Sequence, residues 1–467
     1  MEGKVPGWGV RHVQTAVMSV CAATLYISRS CMAGAVLAMT DTGGNNPEVY
    51  VWSEQTRGVI LSSFFWGYTV LQVPAGVLAR RRGGKPLLLA ALVLNGLLCL
   101  ATPLLARIGD WMAVCAVRVL MGLSQACFMP SFHTILGQWA PPHERTRLSA
   151  LSYAGIQIGT IVAMPLSGLL SRSFLGWKMI YYCMGTMTLV TSLLWWGLTA
   201  SSPGEHTLIS TDERNYIEKS LQTTGKESEE SIPWRQILSC RPLYAICIAH
   251  IGCNWAFVFF LVEVPTYVKS GLGIDLSSSA TLSALPFAAQ WAVSLTSSVL
   301  CEHIYNRNIL SLTNTRKLFN SIGCFGMAAG FLWMSFIEQK VLGVVVLTLT
   351  VGIFGSCCCG FMLNHIDLSP NLGGLMFSLT NCVSNLVAIL VPLVTGLVLG
   401  DDASDISRWR VMFFLTGGLL VTADLLYRIF GSSELQTWNN YKPGEQNEEK
   451  NKEEKKYEFP QTKAVVV

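Results

Sequence analysis

Two arginines stand inside apolar runs where a membrane-embedded helix ordinarily has none: Arg29 in YISRSCMAG and Arg118 at the head of RVLMGLSQACFMPSFHTILGQWAPPHERTRL. An arginine within a bilayer costs about 2.5–3.5 kcal/mol even on the lenient insertion scale, so it faces a bundle interior or an aqueous cavity. Held in low-dielectric surroundings, a guanidinium fork suits a carboxylate or phosphate, which it grips through two parallel N–H···O bonds. The bland alternative for each is an ion pair tying helices together. Gln125, two turns beyond Arg118, can present an amide to the same interior, while Gly122, Ser124, Ala126 and Gly137 let neighbouring helices approach. Tyr68, one turn after Phe64, can hydrogen-bond a bound molecule or simply pack between helices. His133 is either a hydrogen-bonded interior residue or a proton carrier. Glu263, in FFLVEVPTYV, is the one carboxylate left within an apolar run. Burial would favour its protonated form, whereas a place at the outer end of its helix would leave it an ordinary vestibule residue.

Other chemistries lack their residues. GGKP at Gly83 to Pro86 has neither the spacing nor the hydroxyl of a phosphate-binding loop, so direct ATP drive is not expected. No His-Glu-x-x-His, nucleophile elbow or paired carboxylates within one helix point to catalysis. The 15 cysteines are scattered through apolar runs without metal-ligand spacing and read as small buried hydrophobes. The expectation is a protein that is not an enzyme, with no catalytic residue, metal or cofactor, and no nucleic-acid partner.

The elements that must position these residues are membrane helices. Of 467 residues, 51% are hydrophobic and 13% charged, against about 25% charged in soluble domains. Spans of about 20 residues fall near Val13–Met39, Gly58–Ala79, Pro86–Ala106, Trp111–Trp139, Leu148–Ser171 and Met179–Thr199. A second set falls near Pro242–Lys269, Ser279–Cys301, Thr315–Phe336, Val341–Leu363, Leu372–Leu399 and Val411–Gly431. The fold expected is all-α and polytopic, with twelve transmembrane helices in two six-helix halves about a central cavity, a standard arrangement for alternating access. The halves occupy 13–200 and 242–431, after a short N-terminal stretch 1–12. Residues 201–241 form a polar linker with GKESEE at its centre and no sustained apolar face, and 432–467 a solvated, disordered Lys/Glu tail. Arg80, Arg81, Arg82, Lys85, Arg145, Arg147 and Arg307 share one side with the linker, whereas Asp41, Glu48, Glu54, Asp401, Asp402 and Asp405 lie opposite. The positive-inside tendency places the basic side, and both termini, in the cytoplasm.

The combined motifs resemble a known family over essentially the whole chain except its termini. RSCM, SSFFWGY, RVLMGL with the following W-APP-ER-R-L, IPW, LP-F, TRKLFN, GFMLNHIDLSP and LQTWN together look like the organic anion transporters of the major facilitator superfamily. That family includes sialin, the type I phosphate cotransporters, and the vesicular glutamate and nucleotide transporters. The resemblance implies a secondary transporter of a small organic or inorganic anion, an acidic sugar, phosphate, carboxylate or nucleotide. It implies H+, Na+ or Cl− as the candidate coupling ions, and a plasma, lysosomal or vesicular membrane. The family's helix 1 and helix 4 arginines match Arg29 and Arg118, and a third basic residue entering helix 9 matches Arg316, for which snorkelling at the membrane boundary is the competing account. Asn364, His365 and Asp367 match the family's N-H-x-D segment, where capping and loop anchoring compete with transport chemistry.

Departures from the family pattern carry their own implications. Proton-coupled relatives keep acids where this chain has Ser28 and Gln125, so an imposed pH gradient is expected to drive it weakly and membrane potential more, unless Glu263 carries the proton. Leu61 replaces a helix 2 histidine of the glutamate transporters, which speaks against glutamate. Arg80 replaces the superfamily's aspartate after helix 2, while Glu302 keeps an acid in the corresponding loop of the second half, so gating contacts are expected to be uneven. The competing class is an anion channel or a non-transporting membrane sensor on the same scaffold.

Overall fold

Glycine, proline and capping residues punctuate the apolar runs into an all-helical bundle. The computed structural model describes residues 7–40, 48–221, 232–262, 267, 279–337, 339–399 and 405–440. The first half comprises α1 (Val10–Met39), α2 (Glu54–Arg82), α3 (Gly84–Gln125), α4 (Phe128–Trp139), α5 (Arg145–Ser171) and α6 (Trp177–Leu198). After α7 (Thr211–Leu221) and α8 (Trp234–Leu238), the second half comprises α9 (Arg241–Val262), α10 (Ser279–Asn306), α11 (Leu312–Met334), α12 (Lys340–Phe354), α13 (Phe361–Leu368), α14 (Gly373–Ala388), α15 (Leu390–Leu399) and α16 (Ile406–Phe430).

Among the described residues these helices make twelve passes. α3 holds one pass and most of the next, reversing at Gly109 and at Asp110, whose φ is 49°. The Asp110 carboxylate accepts a 2.8 Å hydrogen bond from Trp52 Nε1, fixing that turn. The fourth pass breaks between α3 and α4, where Pro130 brings no N–H for the turn before it. α12, a 3₁₀ turn over Gly355–Cys359 and α13 make the tenth pass, and α14 with α15 the eleventh. By length and hydropathy alone seven stretches qualify as spans, or eight with the bent α5 counted as one. α6 dilutes its hydropathy with Trp and Tyr, and α10 with five serines. Outward-facing Leu104, Leu193 and Leu397 are 61%, 67% and 85% exposed, as suits side chains whose solvent is lipid.

Within lipid, helix association rests on close packing rather than on expelling water. Gly67 on α2 faces the Val119 carbonyl, and Gly122 on α3 faces the Phe64 carbonyl. A side chain at either place would push α2 off α3, and with it Phe64 off Arg118.

The end of the bundle that carries the linker, where α1 begins and α16 finishes, is its base; the opposite end is its mouth. Among the described residues, the hydrogen bonds and ion pairs between the halves run from mid-height, at Asn381 Nδ2 to Tyr68 Oη (3.4 Å), down to the base. The base is closed. Two of its tight crossings are at glycines: Gly137 against the Pro370 carbonyl, and Gly374 against the Pro130 carbonyl and the Thr134 hydroxyl. Gly374→Val is therefore expected to wedge the base open, so that a cysteine placed at Gln138 reacts with a membrane-impermeant maleimide about tenfold faster. An unchanged rate would mean that the halves part without separating α4 from α14.

The linker differs from its sequence expectation. α7 does have an apolar side, with Ile217 and Leu221 buried in the cluster around Trp139 and Trp195. Its Glu213 accepts from the backbone N–H of Val10 and Arg11 (2.9 and 3.1 Å) and pairs with Arg11 Nη1 at 2.9 Å. Eleven residues with two apolar contacts are too short a signal to separate from a solvated helix by pattern alone.

Candidate anion site and base gate

Arg29 and Arg118 converge on one aromatic ring. The Arg29 guanidinium lies 4.7 Å from the Phe64 centroid and that of Arg118 lies 5.0 Å from it. Arg29 is half-buried and also stands over Phe65 (4.9 Å), Tyr68 (5.2 Å) and Tyr26 (5.6 Å). Arg118 is 4% exposed; only its Nη2 is engaged, donating to the Leu61 carbonyl at 3.4 Å, while its Nε is buried without a partner. Among the described residues neither arginine pairs with a carboxylate. Two cations sharing a ring, one with an orphaned donor, form a place where an anion is favoured. Arg118 borders a void of about 10 Å³, room for about one water, together with Ser28, Cys99 and Tyr181. Tyr68 stacks on Phe64 (5.8 Å) and its hydroxyl accepts from Asn381 of the second half. The sequence thus located these residues, but the shared ring was visible only once α2 was seen to cross α3 at Gly67 and Gly122.

Ser28 and Gln125 turn out to be linked. Gln125 Nε2 donates to Asn95 Oδ1 (2.9 Å), Asn95 Nδ2 donates to Ser28 Oγ (3.2 Å), and Ser28 contacts Cys99 Sγ at 3.4 Å. Asn95 was missed by sequence reasoning, since a lone asparagine in an apolar run carries no spacing signal. The result is an uncharged amide–hydroxyl chain beside Arg118 with nothing in it that ionises readily.

Arg316 and Glu302 lie among the contacts that close the base. Arg316 is 1% exposed, so it does not snorkel: its Nε donates to Asp367 Oδ2 at 2.7 Å, and its Nη1 donates to the Thr146 hydroxyl (3.0 Å) and the Cys359 carbonyl (3.1 Å). Arg145, from the first half, donates to the other oxygen of Asp367 at 2.8 Å. One buried carboxylate thereby ties two arginines across the halves. Glu302 accepts from the Arg147 backbone N–H at 2.7 Å, with the Arg147 Nε 3.8 Å away. Gln138 bridges to Asn371 (3.2 Å) and Asn306 to the His143 carbonyl (3.1 Å). Arg11 fastens the α4–α5 turn from behind through Glu144 at 2.7 Å. Asn364 donates to Tyr427 Oη (2.9 Å). The acids of these cross-half contacts, Asp367 and Glu302, both come from the second half.

His133 is fully buried and meets Tyr153 Oη through Nε2 at 3.0 Å. Glu263 lies outside the described residues. Cys253, Cys324 and Cys357 pack together in the core of the second half, with sulfur contacts of 3.6 and 3.8 Å.

Comparison with known proteins agrees with this architecture. The family model described as Major Facilitator Superfamily matches residues 18–392. A putative inorganic phosphate cotransporter of Drosophila ananassae is 36% identical over 401 residues, covering 85% of this chain and 83% of that protein. Human sialin is 32% identical over 394 residues, covering 83% and 78%. Human vesicular glutamate transporter 2 is 31% identical over 404 residues, covering 85% and 68%. Among solved structures the proton:xylose symporter XylE matches with a TM-score of 0.68 at 15% identity, over 91% of this chain and 97% of that one, a likeness of fold alone. With a two-half bundle closed at one end, arginines within its spans and these relatives over most of its length, the chain belongs to the major facilitator superfamily, in the anion-transporter family of sialin and the phosphate cotransporters: it is a multi-pass membrane transporter and not an enzyme.

Proposed function

We propose that this transporter carries a small anion by alternating access, binding it at Arg29 and Arg118, with Tyr68 as a neutral hydrogen-bonding partner and the Arg145–Asp367–Arg316 and Arg147–Glu302 contacts as the gate that must open for release at the base. The observation that carries the reading is the pair of arginines on Phe64 with no carboxylate among the described residues to neutralise them and with Arg118 Nε unpartnered. The base is the cytoplasmic side, given its basic loops, and the relatives' substrates put phosphate, acidic sugars and carboxylates first among the candidates.

A counterflow screen in proteoliposomes tests this reading. Labelled inorganic phosphate, sialic acid, glucuronate, glutamate and ATP are offered against the same unlabelled anion inside. Saturable exchange of at least one, stimulated from the trans side, is expected; an ohmic anion current without saturation would replace the carrier by a channel. Because the Ser28–Asn95–Gln125 chain is uncharged, accumulation is expected to follow membrane potential more than an imposed pH gradient. Should a pH gradient at zero potential concentrate the anion, and Glu263→Gln abolish that accumulation while keeping exchange, Glu263 carries the proton instead.

A further inference from the structure

Three buried histidines from three elements meet just above the base gate, and no transport step described so far uses them. His133 comes from α4 in the first half, His250 from α9 and His365 from α13. They are 0%, 6% and 0% exposed. The His133 ring stacks on Phe377 of α14 at 4.1 Å and meets the edge of His365 at 5.6 Å; His250 is 6.3 Å from His365. Thr380, also on α14, joins two of them: its hydroxyl lies 2.8 Å from His365 Nε2 and 3.1 Å from His250 Nδ1.

We propose that His365, Thr380 and His250 form a binding site for one proton, and that filling it favours opening of the base. The hydrogen bonds can be written out in both states. The Met362 carbonyl, 3.3 Å from His365 Nδ1, can only accept, so Nδ1 carries a hydrogen. In the neutral network Nε2 of His365 then accepts from the Thr380 hydroxyl, whose oxygen accepts from His250 Nδ1–H. Adding a proton to His365 Nε2 reverses one link: Nε2–H now donates to Thr380 Oγ1, and the hydroxyl hydrogen rotates to the Phe377 carbonyl 3.1 Å away. The threonine oxygen then accepts twice and donates once, its full capacity, and no polar hydrogen loses its partner. The proton comes from water at the base and no other bond is broken.

The charge, by contrast, is not compensated. The ionisable groups that face the cluster are Tyr153 from α5, Cys358 from the 3₁₀ turn and Asp367 on α13, besides the histidines themselves. Asp367 is already committed to Arg145 and Arg316. A second ring, His133, stands beside the site with its Nδ1 buried and unpartnered. A cation in this dry setting is costly, and parting α4 from α14 would admit water to it. By linkage, a proton that is held better when the base is open must itself promote opening. Because the site is sealed in the closed state and faces the base when open, its proton enters and leaves on one side. It sets the rate of gating without adding to the driving force, in keeping with the uncharged chain beside Arg118. The inference rests on the two-state closure of the fold and not on which anion is carried.

Spin labels at Arg82→Cys and Arg307→Cys, exposed base residues of the two halves, report the opening in nanodiscs without any substrate. Between about pH 7.5 and 5.5, across the ordinary imidazole range, the long-distance fraction is expected to rise by about fivefold or more. His365→Gln, which keeps a donor and an acceptor but cannot titrate in this range, and Thr380→Val, which removes the reversible hydroxyl, should each flatten that response. Exposed His303→Gln should keep it. A parent protein whose distances ignore pH overturns the proposal, and so do folded His365→Gln and Thr380→Val proteins that respond as the parent does. If either variant fails to fold, Thr380→Ser, which keeps the hydroxyl, must retain the response or the network is not the sensor.

Discussion

Replacing Arg118 by lysine is expected to lower transport about ten- to a hundredfold while the protein still folds. Lysine restores the charge but not the fork, and a charged hydrogen bond is worth about 1.5–3 kcal/mol, where each 1.4 kcal/mol is about a factor of ten. The ammonium would also lose the flat stacking on Phe64, at which the Arg118 guanidinium now stands 5.0 Å from the ring centre. A structural arginine would behave differently, because its loss would appear as poor expression or early melting. The measurement is the apparent affinity for the anion that the parent exchanges, read beside a melting curve of the same preparation. Well-folded Arg118→Lys protein with unchanged affinity would take Arg118 out of the site. Arg29→Lys should fail similarly, with a smaller loss of packing, since Arg29 is half-buried among its four rings.

Asp367→Asn is expected to be the most destabilising single change at the gate, by about 3–5 kcal/mol. It removes the one carboxylate shared by Arg316 and Arg145, which are 1% and 3% exposed, and leaves both cations buried without it. Expression and melting temperature in detergent should both fall. Arg145→Met makes the contrasting case, because Asp367 keeps Arg316 within its own half and only the bond across the halves is lost. That protein should melt near the parent temperature while its base opens more often. If Asp367→Asn melts as the parent does, the two arginines have found other acceptors and the shared carboxylate is not the keystone of the gate.

These residues also mark where the chain was legible from sequence. Arg29 and Arg118 announce themselves because a guanidinium in an apolar run demands a reason, and span lengths follow from the thickness of a bilayer. The turn at Gly109 and Asp110 lies within the gap left between the spans ending near Ala106 and starting near Trp111. Asn95 gave no such warning: asparagine is neutral, tolerated singly, and meaningful only through Gln125 and Ser28, 30 and 67 residues away in the chain. Arg316 was ambiguous for a related reason, since its depth depends on Asp367, 51 residues on, and on Thr146 in the other half. Long-range partners of this kind leave no period or spacing to read. The histidines showed the same limit. His133 reads as a lone interior residue, His365 as part of a motif and His250 carries no signal, and only α14, with Thr380 between His250 and His365, makes a network of them.

The uncharged link from Gln125 through Asn95 to Ser28 has an electrical consequence. On the proposed reading, with no acid beside Arg29 and Arg118 among the described residues, the empty carrier would hold two uncompensated positive charges at its centre, which a divalent anion would cancel. Membrane voltage would then act mainly on the return of the empty carrier, at about 2.3 kcal/mol per elementary charge for each 100 mV it crosses. Homo-exchange of a divalent anion, which never uses that return, would be electrically silent, whereas net uptake would register as a current and slow or quicken with the sign of the potential.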